Sequence, residues 1–123
     1  MPEVLVVDDD PNLRAMIKFT LEGGGFDVRT AADGIDALTQ IKDGFSPDVV
    51  LLDLMMPRLD GLGFLREVRR LNLAPTSHIV ILTCKVEELD FVRGFELGCT
   101  EFLNKPFYPE ALVAQLHALL APA

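Results

Sequence analysis

The sequence predicts an α/β domain, a doubly wound five-stranded parallel sheet with five helices shared between its two faces. Three observations point there. Short β-rich apolar runs alternate with longer stretches of helical period along all 123 residues, the pattern of βα units laid on a parallel sheet. Three of those runs, Val4 to Val7, Asp48 to Leu52 and His78 to Leu82, are almost continuously apolar, as strands covered on both faces are. Glycine and proline punctuate the units at Gly23-Gly24-Gly25, Asp60-Gly61, Gly98 and Pro109.

In chain order, the first strand is Val4 to Val7. The first helix starts near Pro11, carries Leu13, Met16, Ile17 and Leu21 on one stripe, and stops at the triple glycine, where backbone freedom favours an ending. Asp27 to Thr30 form the second strand, and Ile35, Leu38 and Ile41 mark the second helix. The third strand, Asp48 to Leu52, leads through Asp60-Gly61 to a helix marked by Phe64, Leu65, Val68 and Leu71. The fourth strand is His78 to Leu82, followed by a helix from about Val86 to Leu97. A short fifth strand, Glu101 to Leu103, precedes a fifth helix with Pro109 at its first position and Leu112, Val113, Leu116, Leu119 and Leu120 on its stripe; Ala121-Pro122-Ala123 ends it. The sequence shows no repeat, low-complexity tract or interdomain linker, so residues 1–123 read as one domain.

Half of the residues are hydrophobic. Yet no apolar run nears the roughly 18 residues needed to cross a bilayer, and no basic stretch followed by an apolar signal segment opens the chain. The expectation is a cytoplasmic protein with no membrane partner. Cys84 and Cys99 lack metal-ligand spacing and sit among apolar residues, so both read as packed thiols rather than a disulfide. A formal net charge of −8 argues against direct binding of nucleic acid, which relies on clustered lysine and arginine.

Right-handed crossovers put the functional loops of such a sheet at the carboxyl ends of its strands. VDDDP at residues 7–11 sets three carboxylates at the end of the first strand, and LLDLMMPRLDG at 51–61 sets Asp53 at the end of the third. In the flavodoxin-like order 2-1-3-4-5 these two strands are neighbours, which brings Asp8 and Asp9 beside Asp53. Clustered like charges are costly unless a cation neutralises them, and a set of hard oxygen donors suits Mg²⁺. The competing reading of Asp8 and Asp9 is a cap and dipole partner for the helix that follows, the role assigned to Asp10; that of Asp53 is a turn-forming aspartate before Pro57. Thr83 follows HIVIL at the fourth strand end, and Lys105 follows EFLN at the fifth. Singly they suit a β-former and a solvated loop cation. Together, acids, a hydroxyl and an ammonium at four strand ends are the groups that hold a phosphoryl, with Asp53 as the nucleophile that takes it as an acyl phosphate.

Over essentially its whole length the chain resembles the receiver domain of two-component response regulators, through VLVVDDDP, LLDLMMPRLDG, VILTC and GCTEFLNKPF in this order and spacing. The resemblance implies that Asp53 accepts phosphate from the phosphohistidine of a histidine kinase or phosphotransfer protein. Asp8, Asp9 and Asp53 would hold Mg²⁺ together with the backbone carbonyl of Met55, and Thr83 and Phe102 would form a coupled switch. It further implies a cis peptide at Lys105-Pro106. The switched surface, formed by the fourth helix, fifth strand and fifth helix, would serve a downstream effector protein or a tethered output domain. A phosphorylation-dependent homodimer is one form of that output, although Gln115, His117 and Thr100-Glu101 depart from the charged pattern of regulators that dimerise to bind DNA. Phe102 stands where tyrosine is frequent, and Met55 and Lys85 lie where water would approach the phosphate.

The expected activity is self-catalysed phosphorylation and dephosphorylation, not turnover of external substrates. The alternative is an aspartyl-phosphate phosphohydrolase on a related α/β sheet. Such enzymes carry a second acid two residues after the nucleophile, where this chain has Met55. A flavodoxin-like cofactor binder ranks last, because three aspartates after the first strand would repel a phosphate in the absence of metal.

Overall fold

The computed structural model describes residues 1–53, 58–73, 76–83, 96–104 and 108–121. Its elements are β1 (Glu3–Val7), α1 (Pro11–Gly23), β2 (Asp27–Ala31), α2 (Gly34–Lys42), β3 (Val49–Asp53), α3 (Gly61–Arg70), β4 (His78–Thr83), β5 (Glu101–Asn104) and α4 (Pro109–Leu120). The helix expected from about Val86 to Leu97 lies outside the described residues except at its end, where Glu96 is helical. The helix α4 is therefore the one expected as the fifth.

The strands form one parallel sheet in the order β2-β1-β3-β4-β5, as the sequence predicts. Strand parity sorts the core into two layers. Leu5, Val7, Val50, Leu52, Ile79 and Ile81 face one side, where they meet Ala37, Leu38 and Ile41 of α2 and Phe64, Leu65 and Val68 of α3. Val4, Val6, Val49, Leu51, Val80 and Leu82 face the other, against Ile17 and Leu21 of α1 and Leu112 and Leu116 of α4. Each fully buried Val, Leu, Ile or Phe contributes about 1.5–3 kcal/mol, so these two layers hold the sheet in place and with it the loops at its rim.

Local signals set the helix ends. Asp10 caps α1 as expected: one carboxylate oxygen accepts the N–H groups of Asn12 and Leu13 at 2.9 and 3.3 Å. Asp60 does the same for α3, accepting from Gly63 N–H at 2.8 Å. The turn out of α1 takes Gly25 through φ +97°, a conformation that costs glycine little.

Three expected stripe residues are solvent-exposed: Met16, Ile35 and Leu71. The inward faces are Leu13, Ile17 and Leu21 on α1, and Gly34, Ala37, Leu38 and Ile41 on α2; Met16 and Ile35 stand one residue, about 100°, off those lines. Leu71 is the C-cap of α3, past its last buried turn.

Strand ends also differ by a residue. β3 starts at Val49 and includes Asp53, and β2, β4 and β5 each run one residue further than the apolar letters indicate. Among the described residues no helix is long and apolar enough to cross a membrane.

Candidate functional site

The parity that builds the core also builds the site. Val7 pairs with Leu52, so Asp8 lies level with Asp53 on the neighbouring strand. Asp8 continues the line of Val4 and Val6, Asp53 that of Val49 and Leu51, and both lines face the α1 side of the sheet. Their carboxylates therefore converge. Asp8, Asp9 and Asp53 each offer an oxygen within 4.8 Å of the other two, with Asp8 2% and Asp53 7% exposed and Asp9 open to solvent. Three carboxylates, two of them buried, make an all-oxygen, strongly negative donor set, which fits a hard divalent cation such as Mg²⁺.

The surroundings pin this group. The Asp8 N–H donates to Ala31 O at 3.2 Å, and the Asp8 carboxylate accepts the Asp10 N–H at 2.9 Å. One Arg14 Nη donates to the Asp8 carbonyl at 2.7 Å, placing a guanidinium beside the cluster. Asp8 is thus held by the cap loop from both its main chain and its side chain.

Thr83 ends β4 one residue beyond Leu82, the register partner of Asp53, and itself pairs with Asn104 of β5. Its main chain thus stands at the same rim. Phe102 lies in β5 opposite Ile81. The side chains of Thr83 and Phe102, together with Met55, Lys105, Pro106, Cys84 and Lys85, lie outside the described residues. Cys99 is buried and not in a disulfide; burial pushes its thiol up to about 11, against the opposing pull of Arg69.

A second construction at this rim has no counterpart in the sequence reading. Asp33, buried at the N-cap of α2, accepts the Asp36 N–H at 2.9 Å through one oxygen. Its other oxygen receives Arg58 Nε at 2.8 Å and Nη2 at 2.6 Å. The Asp36 N–H foremost, and then Arg58, hold the Asp33 carboxyl below its ordinary value against the burial that would raise it. Beside this pair the Gly34 N–H donates to Leu59 O at 3.2 Å, and a Cβ at Gly34 would clash with that oxygen. The ADG at 32–34 reads as a turn, and nothing in the spacing links it to an arginine 25 positions away.

Residues 4–117 match the family model of the response regulator receiver domain. The chain belongs to that family. The receiver is 44% identical over 117 residues to the DNA-binding response regulator MtrA of Mycolicibacterium smegmatis, a match covering 95% of this chain and 50% of that protein. It is 39% identical over 118 residues to the alkaline phosphatase synthesis transcriptional regulatory protein PhoP of Bacillus subtilis, covering 96% and 48%. The receiver thus spans about half the length of these regulators. Among solved structures, the chemotaxis protein CheY4 of Vibrio cholerae superposes with a TM-score of 0.89 at 36% identity, covering 98% of this chain and 99% of the other. The BeF3-activated DrrB receiver domain superposes with a TM-score of 0.83 at 31% identity, covering 98% and 97%. The expectation of no nucleic-acid partner gains no support from relatives named as DNA-binding regulators.

Proposed function

We propose that this chain is a receiver module in which Asp53 is the phosphoacceptor and Asp8, Asp9 and Asp53 are carboxylate ligands of Mg²⁺. The observation that carries the reading is the convergence of those three carboxylates to within 4.8 Å at the carboxyl rim. An Asp53 oxygen attacks the phosphorus of a phosphohistidine on a histidine kinase or phosphotransfer protein. The new O–P bond forms as the P–N bond breaks, and the departing imidazole takes up a proton. The cation, when bound, offsets the negative charge that the donor phosphoryl brings to an already acidic site. Burial of Asp53 among fixed neighbours keeps the nucleophile aligned and limits the water that reaches it.

The remaining roles follow the family resemblance. Thr83 and Lys105 contact the phosphoryl oxygens, Met55 offers its carbonyl to the cation, and Thr83 with Phe102 relays the change to an output surface. That surface serves an effector protein, a tethered output domain or a second copy of the chain. With a charge of −8, the receiver itself is a poor ligand for a phosphate backbone, so any DNA contact belongs to an attached output domain. Residues 1–123 form one receiver domain acting in the cytoplasm, catalysing its own phosphorylation and dephosphorylation without turning over other substrates.

The test is intact-mass measurement after incubation with a small phosphodonor, with and without Mg²⁺. The wild type gains one phosphoryl group only when Mg²⁺ is present, and Asp53→Asn gains none. An equal adduct on Asp53→Asn, or rapid continuous hydrolysis of the donor in place of a stoichiometric adduct, overturns the assignment.

A further inference from the structure

The geometry points to Arg58 as a positioning residue for the acidic site, acting through its ion pair with Asp33; this rests on the proposed Mg²⁺ role of that site. Only four residues, 54–57, connect Asp53 to Arg58. One end of that span is fixed by β3, where Asp53 is buried. The other end is fixed by α2. Both Arg58 donors converge on the Asp33 oxygen that the helix cap leaves available, at 2.8 and 2.6 Å. The next residue, Leu59, accepts the Gly34 N–H through its carbonyl, and this close approach requires glycine, because a Cβ at position 34 would clash with that oxygen.

The main chain adds a second sign. Arg58 has φ +66°, a left-handed conformation that a residue with a Cβ adopts only when its surroundings hold it there. The contacts in view that hold it are the ion pair to a buried carboxylate and the Leu59 bond. Asp53 and Arg58, the described residues on either side of positions 54–57, are therefore both held by the fold before any ligand arrives, and such preorganisation lowers the cost of binding.

Charge and position make opposite predictions for Arg58, which gives the test its sign. Arg58 is a cation at the rim that carries the acid cluster, so if its charge were all that mattered, removing it would tighten Mg²⁺ binding. If Arg58 positions the span, removing it weakens binding. Mg²⁺ titration by calorimetry on the whole chain should show a dissociation constant about three- to tenfold higher for Arg58→Ala than for wild type. Arg58→Lys, which keeps the charge and one donor, should recover most of that loss. Arg58→Gly takes the left-handed conformation freely and should be as weak as Arg58→Ala, with a melting temperature no lower.

Binding by Arg58→Ala as tight as wild type or tighter overturns the inference. So does full recovery in Arg58→Gly, which would make the backbone conformation alone responsible. Failure of the wild type to bind Mg²⁺ defeats the reading of the site itself, and the inference with it. Wild-type binding with indifferent Arg58 variants defeats the inference and leaves that reading standing.

Discussion

At the carboxyl rim of the sheet, Asp8 and Asp53 are buried and join Asp9 in a group whose oxygens lie within 4.8 Å; at the amino rim, Glu3, Asp27, Asp48 and Glu22 all stand in solvent. Both rims carry acids. They differ in how each acid is used. At the amino rim, Asp48 accepts the Glu3 N–H at 2.8 Å and helps fasten the start of β1, while Arg29 lies 4.2 Å over the Phe45 ring in an open cleft that also includes Glu22 and Asp27. Solvent and a nearby cation screen those charges, and none is brought against another in a buried setting. At the carboxyl rim the fold brings two buried carboxylates and a third, exposed one together, so that a cation there would meet oxygen donors from all three at once. Enforced convergence, not acidity as such, distinguishes a site from a solvated surface.

The largest effect should come from removing one of the convergent ligands. Asp53→Asn and Asp8→Asn should each weaken Mg²⁺ binding by more than about tenfold, since even groups that merely support a ligand are worth about 10- to 100-fold. Titration calorimetry reads this directly. Loss of less than twofold at both positions would erase the contrast between the rims.

Next in size is the link between cation and stability. A ligand that binds only the folded state, present at ten times its dissociation constant, adds about 1.4 kcal/mol. For a domain of this length that raises the melting temperature by about 3–6 °C. EDTA should reverse the rise. A melting temperature that Mg²⁺ leaves unchanged at saturating concentration would break the link between the cluster and the cation.

Much of this contrast is legible in the letters, for a local reason. Alternation along β1 and β3 sets which way each side chain faces, so the strand order alone brings Asp8 level with Asp53. The Asp10 cap is equally local, since its partners lie two and three residues away. What the letters hide is contact set by distant packing. Ile35, Met16 and Leu71 match a helical stripe in spacing, but which line faces inward depends on the sheet beneath, and all three are exposed. His117 is solvent-exposed, yet its Nε2 lies 2.7 Å from Gly24 O and its ring centroid 4.6 Å from that of Phe26, contacts between residues more than 90 positions apart. The Arg58–Asp33 pair is hidden for the same reason, because it joins the loops after two different strands.

A smaller effect concerns Asp33, a carboxyl-rim acid whose charge is paired. Its folded-state carboxyl sits below its ordinary value, held there first by the Asp36 N–H and then by Arg58. A group depressed in this way stabilises the fold above its unfolded pKa, and that contribution is lost as the pH falls through the folded value. The stability difference between wild type and Asp33→Asn should therefore be constant from neutral pH to about pH 5, and shrink below about pH 4. Because Arg58 is 59% exposed, solvent screens the pair and the difference is modest. Denaturant melts at several pH values supply the measurement. A difference that grows on acidification would contradict the pairing.

The smallest effect belongs to the amino rim, and there the comparison can be broken most cheaply. Asp27 and Glu22 are exposed, lie at the opposite end of the sheet from Asp53, and face a cleft already shared with Arg29. Their charges act on the carboxyl rim only through long-range fields, which physiological salt reduces within about 8 Å. Asp27→Asn and Glu22→Gln should thus shift Mg²⁺ affinity by less than about twofold, and stability by no more than about 0.5 kcal/mol, the usual range for surface substitutions. Repeating the titration at low salt sharpens the result, because a purely electrostatic influence must grow as screening is withdrawn. A tenfold change at ordinary salt would mean that acids at both ends of the sheet act as one field, and the burial of Asp8 and Asp53 would then no longer explain why the cation binds where it does.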